Sequence, residues 1–224
     1  MSVDHYKWLA PIYDALARLV FGGAIERSQL ALIHHEEPRL QGIERIFWIG
    51  GGTGQVLNEL LNAAPQSHLY YIEPSKAMSG RAKKRLNDSF EGRVTWVGEE
   101  HTWLYSEAAP AQEGSGHHEI IFAAFIFDVF LEDEYRRLLE WSSNRVKRIL
   151  FIDFVPQQTI WRQGFIQWMY FCFWLTTRIK QRSLLEHGRL FDEEGWSRAT
   201  NHNGLTFASG LIEAICFTPN PRRV

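Results

Sequence analysis

Residues 46–60 read Ile46-Phe47-Trp48-Ile49, then Gly50-Gly51-Gly52-Thr53-Gly54, then Gln55-Val56-Leu57-Asn58-Glu59-Leu60. An apolar run that stops at a glycine turn and opens into a helix marks a buried strand of a mostly parallel sheet. Glycines in such a turn adopt backbone angles closed to other residues and let a ligand approach the main chain. The unit therefore predicts both an architecture and a site, which lies outside the carboxyl edge of the sheet.

The rest of the chain repeats that alternation. Apolar runs at 43–49, 69–72, 94–97, 119–124 and 148–154 predict buried strands, and the segments 55–63, 75–86 and 132–143 between them predict helices. Strand–helix alternation implies parallel strands joined by right-handed crossovers. The ending differs: two β-rich runs, 205–208 and 211–217, are separated only by Ser209-Gly210, which is hairpin spacing. The expected fold is α/β, a doubly wound, mostly parallel seven-stranded sheet with an antiparallel C-terminal hairpin. Residues 100–117, with Pro110, Gly114 and Gly116, predict a long surface loop, and 156–190 a helical insertion. Arg81, Lys83, Lys84 and Arg85 read as the solvated face of the helix after the second strand.

The glycine spacing narrows the ligand. A dinucleotide fingerprint requires a third glycine at Gln55 or Leu57, and no lysine–hydroxyl pair closes a phosphate loop. Gly50-x-Gly52-x-Gly54 instead resembles the first motif of class I S-adenosylmethionine-dependent methyltransferases, Rossmann-like in fold. Further along, Glu73-Pro74-Ser75 ends the second strand, with Met78 in the next helix. A carboxylate about 20 residues past the turn is placed to accept hydrogen bonds from a ribose diol. The resemblance gives that role to Glu73 and packs Met78 on the adenine. It puts Glu99, where aspartate is more usual, near the adenine amino group, and Ala124 and Phe125 beside the sulfonium. An exposed loop carboxylate is the alternative for Glu99, and plain core packing for Met78.

Near the N-terminus, Tyr6-Lys7-Trp8 and Tyr13-Asp14 precede a helix. This is similar to the small-molecule branch that includes quinone C-methyltransferases, in which an N-terminal tyrosine segment folds over the cofactor. The resemblance thus adds Pro74 and Tyr13 to the cofactor-binding set and spans residues 6–155 and the terminal hairpin. It implies one methyltransferase-like domain over 1–224, with an N-terminal helical cap at 1–40. One departure stands out: the family usually carries an acidic residue two positions before the first glycine, and this chain has Trp48.

Composition bounds the partners. The 224 residues are 45% hydrophobic and 22% charged, an ordinary globular balance, and the net charge of -2 gives no bulk attraction to nucleic acid. The two cysteines, Cys172 and Cys216, lie in apolar runs and read as buried thiols of a cytoplasmic protein. The adjacent pairs His34-His35 and His117-His118 lack the spacing of a helical metal site, so no metal is expected. The longest apolar stretch, 164–175, is too short for a transmembrane helix.

Aromatic residues make up 14% of the chain, nine of them tryptophans, and many crowd the insertion. Trp161, Phe165, Trp168, Cys172 and Leu175 share one helical face, but 168–175 is apolar all round and must be covered. The covers left open are core or homodimer packing through 158–178, a lid over an apolar acceptor pocket, and interfacial membrane contact aided by Arg178, Lys180 and Arg182. The resemblance implies methyl transfer from S-adenosylmethionine to a small apolar or aromatic acceptor, and loop position offers Asp128 and His101 as candidate bases where the acceptor must lose a proton. A non-catalytic binding or dimerisation protein with a relic pocket, a nicotinamide-dependent oxidoreductase, and nucleic-acid methylation, against which the neutral charge and missing basic stripe argue, are the competing functions.

Overall fold

The computed structural model describes residues 14, 18, 20–107, 109–110, 118–127, 130–143, 145–155, 164, 186–199 and 204–220. Among the described residues, the α-helices with defined bounds are, in chain order, α1 (Ala24–Leu40), α2 (Leu57–Ala63), α3 (Lys76–Arg85), α4 (Glu132–Ser143) and α5 (His187–Glu193). The strands are β1 (Arg45–Ile49), β2 (His68–Ile72), β3 (Val94–Val97), β4 (Glu119–Ala124), β5 (Arg148–Phe154), β6 (Trp196–Arg198), β7 (Leu205–Phe207) and β8 (Ile212–Pro219).

The strands form one sheet in the order β3-β2-β1-β4-β5-β8-β6, with β7 also pairing β8. The first five strands are parallel, and β8 runs antiparallel to β5, β6 and β7. From β1 the chain steps one way to β2 and β3, then returns to place β4 on the other side. The reversal leaves a crevice at the carboxyl ends of β1 and β4, where doubly wound sheets bind ligands.

Successive residues of each strand feed opposite layers. On one face Ile46, Trp48, Tyr71, Phe122, Leu150 and Ile152 pack with α1 and α2. On the other, Phe47, Ile49, Ile121, Ile149 and Phe151 meet α4 and α5. Helix α4 shows why it docks there: Tyr135, Leu138, Leu139 and Ser142 form its buried stripe. Each such apolar side chain contributes about 1.5–3 kcal/mol by leaving water.

The hairpin is present as β7 and β8, and the edge holds one strand more than the expected seven. Strand β6, at three residues, is too short to register as a periodic run. It pairs the C-terminal end of β8, with Arg198 opposite Phe217, and the Ala199 amide continues the ladder to the Cys216 carbonyl. Pairing resumes at Leu205 opposite Ala214, so β6 and β7 are two pieces of one interrupted edge. The expected insertion also changes character at its end. Residues 187–190 belong to α5, the crossover helix that feeds β6, rather than to an added element. Residues 156–163 and 165–185, and with them the aromatic face and the 158–178 dimer surface apart from Gly164, lie outside the described residues. Among the described residues no helix is long and apolar enough to cross a membrane, and no cluster of histidine, cysteine and carboxylate side chains could hold a metal ion.

Candidate functional site

The glycine turn leaves β1 with Gly50, Gly52 and Gly54 at φ of 65°, 59° and 69°, left-handed values that favour glycine. Gly51 is needed for a different reason: a Cβ there would sit 2.2 Å from Cζ of Tyr71. The turn is also pegged by polar contacts. Gly52 donates its amide to Glu73 Oε2 at 2.9 Å, and its carbonyl accepts from the Tyr71 hydroxyl at 3.0 Å. Burial raises the Tyr71 pKa well above the ordinary value, and the nearby Glu73 charge adds to the effect, so the phenol stays a donor.

Beside the turn lies a cavity of about 280 Å³ at the switch point. Its walls include Gly50, Gly52, Glu73, Pro74, Met78, His101, Phe125 and Phe130, together with Ile49, Ile72, Glu100, Ile126 and Glu134. Three of these side chains are carboxylates, and no lysine or arginine appears among the described lining residues. The space beside Gly52 is open, with nothing closer to its would-be Cβ than the Gly50 carbonyl oxygen at 4.0 Å.

Glu73 is 7% exposed, at the end of β2. Its Oε1 accepts the Ser75 amide at 2.9 Å while Oε2 holds Gly52. A carboxylate has about four lone-pair sites and can therefore serve several donors at once. Ser75 caps α3 by accepting the Met78 amide at 3.2 Å, which fixes where Met78 enters the cavity wall.

Opposite stands His101, on a short 3-10 helix after β3 and 6% exposed, with its ring centroid 4.2 Å from that of Phe130. Burial lowers its pKa below 6.5, against the upward pull of Glu134 and Glu100, so the imidazole is neutral near pH 7. Phe125 leaves β4 at φ 56°, a costly angle for a bulky residue. Its amide bonds to the Ile152 carbonyl at 2.8 Å and its ring meets Phe154 at 5.1 Å.

Of the residues the sequence singled out, Gly50, Gly52, Glu73, Pro74, Met78, Phe125 and His101 line this cavity. Gly54 does not; it backs onto Ala82 beneath the turn. Ala124 lies in the core layer at 7% exposure. Glu99 is exposed and does not line the cavity, whereas its neighbour Glu100 does. Tyr13 and Asp128 lie outside the described residues. Trp48 is 2% exposed, packed between Tyr71 and Phe122 with centroids 5.2 and 5.0 Å away, on the face carrying α1. It is a core residue that takes no part in the cavity wall.

Sequence reasoning missed two features. Glu134 gave a faint signal, a carboxylate three residues into a helix whose Oε2 accepts the Leu131 amide at 3.0 Å. The expected solvated face of α3 is also corrected: Arg85 and Arg81 turn toward Asp14, because that carboxylate is brought over the glycine turn.

No family model matches the chain. A ubiquinone/menaquinone biosynthesis C-methyltransferase of Methylobacterium nodulans is 29% identical over 111 residues, 49% of this chain and 42% of that protein. The chain therefore matches less than half the length of that curated relative. Among solved structures, magnesium protoporphyrin IX methyltransferase from Synechocystis with bound SAM superposes with a TM-score of 0.58 at 13% identity, covering 98% of this chain and 99% of that one. The pyocyanin biosynthetic protein PhzM superposes at 0.55 with 20% identity, over 84% and 55% of the two chains. Human N-acetylserotonin methyltransferase, in complex with SAM, gives 0.53 at 16% identity, over 87% and 51%. The mostly parallel sheet with its antiparallel edge agrees with these likenesses: the chain has the class I S-adenosylmethionine-dependent methyltransferase fold.

Proposed function

We propose that the chain binds S-adenosylmethionine in the switch-point cavity and transfers its methyl group to a small apolar or aromatic acceptor. The observation that carries this reading is the charge and hydrogen bonding of the cavity. In a dinucleotide site the turn amides face a pyrophosphate. Here Gly52 N is spent on Glu73 and Gly54 N on the Gly51 carbonyl, and the lining charges are carboxylates. Such a wall repels a pyrophosphate and favours a sulfonium cation. This counts against the nicotinamide alternative.

S-adenosylmethionine, when bound, supplies a methyl group that is already electrophilic. The chain's own residues have to hold, align and dry the reactants. Glu73 would accept the ribose hydroxyls, while Met78, Ile72 and Phe130 supply apolar wall for the base. Phe125, turned by its left-handed backbone, narrows the cavity at the β4 end. Among the described residues, neutral His101 is the group suited to take a proton from an acceptor that must lose one. The buried position of Trp48 weakens the relic-pocket alternative, since its ring does not fill the cavity.

Calorimetry of the full chain against S-adenosylmethionine, its demethylated product and NADH tests the reading. Both sulfur ligands should bind and NADH should not. Glu73→Ala should weaken the sulfur ligands by about tenfold or more, on the scale of a lost charge-assisted hydrogen-bond pair. Binding of NADH alone, or unchanged affinity in Glu73→Ala, would overturn the assignment.

A further inference from the structure

Asp14 is placed against the outer side of the glycine turn. Its Oδ1 accepts the Thr53 hydroxyl at 2.6 Å. Its Oδ2 is ion-paired with the Arg85 guanidinium, and Arg81 approaches it at 3.8 Å. Arg85 donates in turn to both the Thr53 carbonyl and the Thr53 hydroxyl, each at 2.9 Å. Thr53 is 4% exposed and sits between Gly52, which is tied to Glu73 in the cavity, and Gly54. Adjacent residues of one turn are thus gripped from opposite sides, Gly52 by a cavity carboxylate and Thr53 by a carboxylate outside it.

From this geometry we infer that Asp14 is a positioning residue: acting through Thr53 and Arg85, it holds the glycine turn in the conformation that presents Gly52 to Glu73 and to a ligand. The identity of that ligand rests on the methyltransferase reading; the clamp itself does not. Left-handed glycines have a broad choice of backbone angles. A turn containing three of them does not hold one conformation by intrinsic preference, and the bonds from Glu73 and Tyr71 both fall on Gly52 rather than on Thr53. A fork of charge-assisted bonds on Thr53 restricts the other side. Removing the Asp14 charge leaves Arg85 free to release the Thr53 carbonyl, and the turn gains alternatives that must be given up when a ligand binds.

Two measurements on the full chain test this. The first needs no ligand: amide hydrogen exchange over residues 50–54 in Asp14→Asn should be faster than in the wild type, with the amides of β1 and β4 unchanged. Equal exchange in the two proteins overturns the clamp. The second is calorimetric binding of S-adenosylmethionine. Asp14→Asn should bind about tenfold more weakly, Asp14→Glu should recover most of the loss, and adding Arg85→Gln to Asp14→Asn should cost little more, because both act on Thr53. Arg136→Gln, which breaks an ion cluster with Glu132, Glu193 and Glu194, serves as the control and should leave affinity unchanged. Wild-type affinity in Asp14→Asn, or an equal loss in the control, overturns the inference. Faster exchange in Asp14→Asn with no wild-type binding of either sulfur ligand would reject the methyltransferase reading and leave the clamp standing.

Discussion

Gly51 is the position in the glycine turn where the reason for glycine is steric rather than conformational. An added Cβ would lie 2.2 to 2.6 Å from three ring atoms of Tyr71, itself buried beside Trp48 and Trp96. The ring has nowhere to move without lifting its hydroxyl from the Gly52 carbonyl. Gly51→Ala should therefore destabilise the protein by about 1–3 kcal/mol, the usual cost of overpacking, as read by urea unfolding. His101 gives a second test at this scale. Its lowered pKa means that a base role is lost only below pH 6.5, as the imidazole takes up a proton. The pH profile of methyl transfer to an acceptor that must lose a proton should show an acidic limb with its midpoint under 6.5. His101→Asn should lower the rate by about 10²-fold or more and abolish that limb. A wild-type profile retained in the variant would exclude His101 as the base.

Secondary elements were legible in proportion to how strongly their pattern repeats. The first five strands and the helices α2, α3 and α4 each carry several periodic apolar positions, and their bounds in the structure fall within two residues of expectation at most. Strand β6 has three residues, of which only Trp196 is buried, and no period can be read from so few. Its crossover helix α5 was consequently absorbed into the preceding insertion. In the cavity, residues placed by strand ends (Gly50, Glu73, Phe125) were legible because a strand's end fixes its position. Asp14 was not. Its partners Thr53 and Arg85 lie 39 and 71 residues away, and polar pairings at that separation leave no local pattern. Helix α5 also carries a prediction. His187 is buried against Tyr135 and Phe151, and burial lowers its pKa to about 4. Between that value and 6.5 the unfolded chain binds a proton that the folded chain refuses. Stability is therefore full above pH 6.5 and falls as the pH drops, by about 3 kcal/mol at pH 4 from this group. Urea unfolding at pH 7.5 and 5.0 should show His187→Phe losing less stability on acidification than the wild type.

At the scale of the whole molecule, a net charge of -2 spread over 224 residues predicts almost no electrostatic preference for any ligand. The cavity departs from that average. Glu73, Glu100 and Glu134 line it, whereas the arginines at the turn, Arg81 and Arg85, pair with Asp14 and do not line it. The charged side chains that line the cavity are thus carboxylates among the described residues, while Arg81 and Arg85 are paired with Asp14 away from its walls. Donor and demethylated product share the same zwitterionic amino acid and the same nucleoside and differ by the methyl group and the sulfonium charge it confers, so the salt dependence of the two affinities separates this field from shape. Screening shortens the reach of a charge from about 10 Å at 0.1 M salt to about 3 Å at 1 M. Affinity for S-adenosylmethionine should accordingly fall several-fold over that range, with the product changing by less than about twofold. Glu134→Gln should flatten the donor's salt dependence, because that carboxylate is only partly buried and lines the cavity. Equal salt dependence for the two ligands would mean that the cavity selects by shape alone and that the gathering of carboxylates there has no part in choosing the donor.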